Sequence, residues 1–114
     1  MRADIVSEVA GKGKRGGRAV STVLIENDRV RVTEWRFEPG TGTGWHKHEF
    51  DYVVVPLVTG RLLLEEVDAT REVELATGLP YFREAGVEHD VVNANDYEFV
   101  FIETEIKRAD GSRA

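Results

Sequence analysis

Gly40-Thr41-Gly42-Thr43-Gly44-Trp45-His46-Lys47-His48 is a glycine-punctuated run that ends in two histidines with one residue between them. A second run, Gly86-Val87-Glu88-His89-Asp90-Val91-Val92-Asn93, carries the only other histidine of the chain. Both runs open on glycine, which tolerates tight and left-handed backbone. Residues two apart on an extended segment point to the same side, ~6.5 to 7 Å apart along the chain. Two imidazoles so placed can lean onto one metal ion at ~2.0 to 2.1 Å per bond, with His89 reaching the same point through the fold. Three neutral imidazoles are a recurrent ligand set for Zn, Fe, Ni, Cu or Mn. A histidine beside a turn is more often a hydrogen-bonded surface residue, and for His46 alone that reading prevails. Three histidines sharing two matched glycine-led segments favour the metal.

The flanks of these runs read as β-structure. Val23-Leu24-Ile25, the turn Glu26-Asn27-Asp28 and Val30 to Phe37 predict two strands, the second ended by Pro39-Gly40. Val53 to Val58 is an apolar run closed by Thr59-Gly60. Arg61 to Val67 alternates around Leu62 and Leu64, and Val73 to Leu75 precedes the Gly78 turn. Tyr81-Phe82 starts a strand that ends at Ala85-Gly86, and Val91-Val92 runs into the turn Asn93-Ala94-Asn95-Asp96. Tyr97 to Lys107 alternates, with Phe99, Phe101 and Glu103 on one face and Val100 and Ile102 on the other. Short strands at this spacing with Gly, Asn and Asp between them predict an all-β sandwich or barrel with little helix. No segment keeps a 3.6-residue period with caps.

The chain has 114 residues, room for one domain that buries roughly two-thirds of its unfolded surface. The expected organisation is an N-terminal arm over residues 1–20, a barrel over 21–108 and a tail over 109–114. Gly11 to Arg18 (GKGKRGGR) reads as a flexible, solvated arm. The alternative, a phosphate-binding loop, is disfavoured because no strand precedes it and no Lys-Ser/Thr follows. Ile5, Val6 and Val9 are candidates to anchor the arm, on this chain or on a partner subunit. Cysteine is absent, which removes disulfides, thiolate sites and a cysteine nucleophile and suits a reducing cytoplasm. Met1 to Ser7 has no apolar leader core, and no stretch approaches the ~18 to 20 apolar residues of a membrane helix. The net charge of -6 argues against nucleic acid and anionic membranes as partners. The expected location is cytoplasmic.

The two histidine segments together resemble the motif pair of the cupin family. The first family motif is Gly, five residues, His-x-His, three or four residues, Glu, six residues, Gly; Gly40, His46, His48 and Gly60 match it. The second is Gly, five residues, Pro-x-Gly, two residues, His, three residues, Asn; Gly78, Gly86, His89 and Asn93 match it. The likeness covers roughly residues 30 to 106. It implies a small jelly-roll β-barrel, with His46, His48 and His89 holding a divalent Fe, Mn, Ni or Zn ion.

Two positions depart from the pattern. Glu84 stands where the family has proline, and the first motif's glutamate is missing. Its place falls on Tyr52 or Val53, with Asp51 one residue early. Strict alternation puts Tyr52 on the histidine face and Asp51 on the other. A bulge near Glu49-Phe50 would swing Asp51 inward. Three histidines are thus the expected shell, with Asp51 or Tyr52 as an open fourth ligand. The same two residues, and Glu84, are candidates to move protons. Asn93 is expected to hold its turn through its side chain, and Gly86 to supply a positive φ beside the site.

Trp45, Trp35, Tyr81, Phe82, Phe99 and Phe101 are either barrel core or cavity wall. Arg36, Arg83 and Glu103 alternate into apolar faces, each as a solvated charge or as an inward anchor. Arg36 suits a carboxylate through its planar fork. The substrate-contact candidates are Arg36, Trp45, Tyr81 and Phe101. Val53 to Val58 is apolar on both faces, so one face needs a cover, a homodimer partner or the N-terminal arm. The stretch from Trp45 to Leu57 is also similar to small cupins associated with bacterial β-alanine catabolism, which implies a metabolic setting and no particular reaction. The reading is a metal-binding barrel acting on a small organic molecule by dioxygenase-, isomerase- or lyase-like chemistry. The alternative is a non-catalytic barrel that binds or senses a small ligand.

Overall fold

The alternation read along the chain folds into nine strands and no α-helix in a computed structural model that describes residues 17–107. The arm before residue 17, with Ile5, Val6 and Val9, and the tail beyond residue 107 lie outside the described residues. Strands β1 (Val20–Glu26) and β2 (Val30–Phe37) form a hairpin. Its turn is built by Asn27, whose side-chain oxygen accepts the N–H groups of Arg29 and Val30 at 2.8 and 2.9 Å, the turn chemistry expected of asparagine. Then follow β3 (His46–Lys47), β4 (Asp51–Pro56), β5 (Gly60–Glu66), β6 (Thr70–Leu75), β7 (Tyr81–Arg83), β8 (Glu88–Asn93) and β9 (Phe99–Ile106). Strands β1 and β6 are longer than the apolar residues alone predict, because cross-strand hydrogen bonds carry them through Val20-Ser21-Thr22 and Thr70-Arg71-Glu72.

Two antiparallel sheets result, in the orders β1-β2-β9-β4-β7 and β3-β8-β5-β6. Late strands slot between early ones: β9 lies between β2 and β4, and β8 between β3 and β5. That interleaving carries residues distant in sequence to one end of the barrel. The inward faces meet on Phe37, Tyr52, Val54, Leu62, Leu64, Val91, Phe99 and Phe101, all at or below 5% exposure. Each large apolar side chain so buried stabilises the fold by ~1.5 to 3 kcal/mol. Along β4 burial alternates without a break, with Tyr52, Val54 and Pro56 inward and Asp51, Val53 and Val55 on the other face. A bulge does occur, but in β1 between Val23 and Ile25. No helix among the described residues is long and apolar enough to cross a membrane.

Candidate metal centre

His46 is the first residue of β3, and the β3–β8 register sets it directly opposite His89. Facing residues in an antiparallel pair are near neighbours, so this pairing alone joins the two histidine segments. His48 follows β3 and is tied to the chain just before β8. Its N–H donates to the Val87 carbonyl at 2.9 Å, and its carbonyl accepts the Gly86 N–H at 2.8 Å. Gly86 has φ +103°, a conformation that favours glycine, so the expectation for that residue holds.

The three imidazoles converge through their Nε2 atoms. His46 Nε2 lies 3.0 Å from His48 Nε2, which lies 3.1 Å from His89 Nε2. The tautomers give these contacts their meaning. His46 Nδ1 is 2.8 Å from the Gly44 carbonyl, which can only accept, so the proton of His46 sits on Nδ1 and its Nε2 presents a lone pair. Gly44, at φ +87°, turns that carbonyl toward the ring, and the Asp90 carboxylate holds the Gly44 N–H at 3.1 Å. Burial lowers the pKa of His46, takes His48 down to about 3 and takes His89 to about 2; for the latter two, neighbouring imidazoles add to the shift. The rings are therefore neutral at ordinary pH, the form that ligates a metal. His89 Nδ1 is buried with no hydrogen-bond partner. A proton on Nε2 of His48 or His89 would make these contacts N–H···N hydrogen bonds; with all three protons on Nδ1 the lone pairs face one another and repel unless a cation lies among them. Two ligand atoms bound at ~2.1 Å and about 90° apart sit about 3 Å from each other. The donor set and its spacing fit a divalent metal.

Tyr52 does stand on the histidine side, and its ring stacks on His48 with centroids 3.8 Å apart and planes at 16°. Its hydroxyl is buried without a partner, and burial raises its pKa. Asp51 faces away. Its carboxylate accepts the Ala85 N–H at 2.9 Å and so braces the turn between β7 and β8. The inward swing of Asp51 does not occur because β4 keeps unbroken register with β9.

A cavity of about 500 Å³ opens on His46 and His48, walled by Val23, Trp35, Trp45 and Glu103 among others. Trp45, 53% exposed, stands at this cavity. The other substrate-contact candidates lie elsewhere. Arg36 is on the outer face of β2, paired with Glu34 at 3.2 Å and with Glu98 at 3.1 Å. It shares that face with Val32, because the inward positions of β2 are Thr33, Trp35 and Phe37. Phe101 belongs to the core, and Tyr81 packs against it. Glu84 is exposed in the turn after β7, and Arg83 reaches Glu66 at 3.6 Å.

Glu103, which the sequence left open as a solvated charge or an inward anchor, faces inward. It is 8% exposed, and its carboxylate lies 3.7 Å from His48 Nδ1. Burial, then the charge of Glu105, raises its pKa to about 8, with a Trp35 hydrogen bond pulling the other way. The available signal was parity, since Glu103 shares the face of Phe99 and Phe101 on β9.

Residues 33–105 match the cupin domain family. The chain is 58% identical over 90 residues to the β-alanine degradation protein BauB of Pseudomonas aeruginosa PAO1, covering 79% of this chain and 95% of that protein. A crystal structure of a cupin domain from Bordetella pertussis Tohama I superposes with a TM-score of 0.81 at 55% identity, over 83% of this chain and 99% of the other. A cupin from Methanocaldococcus jannaschii with a double-stranded β-helix fold gives a TM-score of 0.67 at 15% identity, over 83% and 86% of the two chains, and shares the fold alone. With two interleaved antiparallel sheets, a histidine cluster at one end and these relatives, the chain belongs to the cupin family.

Proposed function

We propose that this cupin holds one divalent transition-metal ion on His46, His48 and His89 and takes a small organic molecule into the adjoining cavity. The observation that carries the reading is the meeting of three neutral imidazoles through Nε2 at 3.0 and 3.1 Å. A metal so held supplies Lewis-acid or oxygen-activating chemistry to a ligand that takes its open positions. The chain's own residues bind and orient. Val23 and Trp35 offer apolar wall, and Trp45 gives an aromatic face at the entrance. Likeness to a protein named for β-alanine degradation supports a setting in small-molecule catabolism.

One observation favours a second reading, a barrel that binds or senses its ligand without turnover. Neither Tyr52 nor Asp51, the sequence-derived proton carriers, is among the residues lining the cavity. The discriminating result is a small molecule that raises the melting temperature, under air and with several metals, yet is recovered unchanged.

The same reading makes the chain a homodimer. The outer face of the five-stranded sheet carries a cross-strand row of Ile25, Val32, Thr104, Val53 and Phe82, with Ile102 and Val55 beside it. Ile25 and Phe82 are 51% and 54% exposed, and a second copy covering this face removes a continuous apolar surface from water. A monomer in sedimentation, with Phe82→Glu unchanged from wild type, would remove this part.

The test of the metal is the metal content of tag-free protein beside a His46→Ala/His48→Ala variant. Near-stoichiometric Fe, Mn, Ni or Zn in wild type, lost in the variant, is the expected result. No metal in either after reconstitution would leave only the ligand-binding barrel.

A further inference from the structure

The first family motif lacks its glutamate, yet the histidine end of the barrel does hold a buried carboxylate, contributed by a different strand. Glu103 enters from β9, inward beside Phe101, and neighbours Thr33 on β2 and Val54 on β4. It approaches only one of the three imidazoles. Its Oε2 lies 3.7 Å from His48 Nδ1, the nitrogen on the side of the ring away from the Nε2 cluster. Among the described residues the three histidines group by themselves, and Glu103 groups with His48 and Glu105, so it stands behind the cluster and not within it. Glu105 is taken up by Arg31 at 2.8 Å, and Glu103, which also holds a Trp35 hydrogen bond, faces His48. One face of the His48 ring is held by Tyr52, stacked at 3.8 Å.

A carboxylate in such a place costs stability unless it does something that an apolar residue cannot. A carboxylate that receives the Nδ1–H of an imidazole fixes the tautomer, aims Nε2 and makes that nitrogen a stronger donor. His46 has this service from the Gly44 carbonyl. For His48 the group nearest that position is Glu103, at 3.7 Å, a separation that a small side-chain shift would close to a hydrogen bond.

We propose that Glu103 is the positioning residue of His48, replacing the absent motif carboxylate as a partner of a ligand and not as a ligand itself. The role rests on the three-histidine metal site and adds to it a carboxylate–His48–metal relay built from β9. His48 keeps its proton on Nδ1 and offers Nε2 to the ion, while the Glu103 carboxyl group stays one imidazole away from it. The metal then has three protein ligands, and its remaining positions stay open to substrate.

Two measurements test this with wild type, Glu103→Gln, Glu103→Ala and His46→Ala/His48→Ala. The first is Co²⁺ affinity, followed by its visible absorption. Glu103→Ala is expected to bind roughly 10- to 100-fold more weakly than wild type. Glu103→Gln keeps an oxygen that accepts from Nδ1–H and should recover most of that loss. The melting temperature of apo Glu103→Ala should match or exceed that of wild type, which separates positioning from folding. Equal affinity in wild type and Glu103→Ala would overturn the proposal. So would loss of Co²⁺ from Glu103→Gln as complete as from the double histidine variant, since that marks a direct ligand. The second measurement is the His48 tautomer in apo protein, from long-range ¹H–¹⁵N spectra. The proton is expected on Nδ1 in wild type and spread over both nitrogens in Glu103→Ala, and the same tautomer in both would overturn the proposal. This readout needs no metal. Absence of Co²⁺ binding in wild type would refute the metal site, whereas an unmoved tautomer would refute Glu103 alone.

Discussion

His89 and Asn93 lie on one face of β8, both almost fully buried at 4% and 2% exposure, and their surroundings are opposite. The Asn93 amide is completely engaged. Its nitrogen donates to the Phe37 and Tyr97 carbonyls at 3.0 and 2.9 Å, and its oxygen accepts from Asn95 N and Nδ2 at 2.8 and 2.7 Å. His89 has an unpartnered Nδ1 and an Nε2 set 3.1 Å from another Nε2. A buried polar group normally survives only with its partners made. The closed amide is architecture that locks one end of the barrel. The open imidazole lacks those partners, and its Nε2 is one of the three nitrogens of the proposed metal site. One strand thus holds both, and the hydrogen-bond account tells them apart where residue type and burial do not.

The largest effect should come from breaking the open end. His46→Ala/His48→Ala removes two of the three proposed metal donors and is expected to abolish stoichiometric metal while the apo protein still folds, as read by elemental analysis beside far-ultraviolet circular dichroism. Breaking the closed end should act on folding instead. Asn93→Leu gives up four hydrogen bonds, one of them to the buried Phe37 carbonyl, costing about 3 kcal/mol, which lowers the melting temperature by roughly 15 °C. Metal content per folded molecule should stay at the wild-type value; a collapse of both together would show that the two ends are one cooperative unit.

Adding metal sharpens the contrast from the other side. A metal at a hundred times its dissociation constant stabilises wild type by about 2.7 kcal/mol, seen as a raised melting temperature that the double histidine variant does not share. Gly60→Ala probes the closed end more gently. A Cβ there would meet Asn95 Oδ1 at 2.8 Å and Nδ2 at 2.9 Å. Asn95 is itself held by Asn93 and by the Arg61 backbone, so it has little room to yield. The expected cost is ~1 to 3 kcal/mol in chemical denaturation, with unchanged metal affinity. Arg36→Ala belongs to neither end. Its exposed ion pairs should be worth nothing measurable in melting temperature, and a loss of ligand affinity in this variant would reopen its candidacy as a substrate anchor.

The strands were legible because their signals are local. Alternation around Leu62 and Leu64, the Asn27 turn and the Pro39-Gly40 stop act over a few residues, and each lies where the sequence puts it. Parity along β4 also assigned Tyr52 inward and Asp51 outward. The bulge that would have exchanged them was an open possibility, and the unbroken pairing with β9 closes it. Arg36 misled because alternation states which residues share a face and not which face meets the other sheet. Its row contains Val32, and that row is outside. For Glu103, parity with Phe99 and Phe101 left the solvated and the inward reading both open, and the packing of β9 decides for the inward one.

What the chain by itself determined is the period-two patterning, the turns and the three imidazoles in two glycine-led segments, because backbone sterics and side-chain alternation work between neighbours in sequence. What only the tertiary structure decided is which nitrogen faces which group. The β3–β8 register sets His46 against His89, and the position of β9 between β2 and β4 puts Glu103 behind His48. Those contacts join residues 43 and 55 apart in sequence, and their geometry depends on how two sheets close over a shared core, which no local rule specifies.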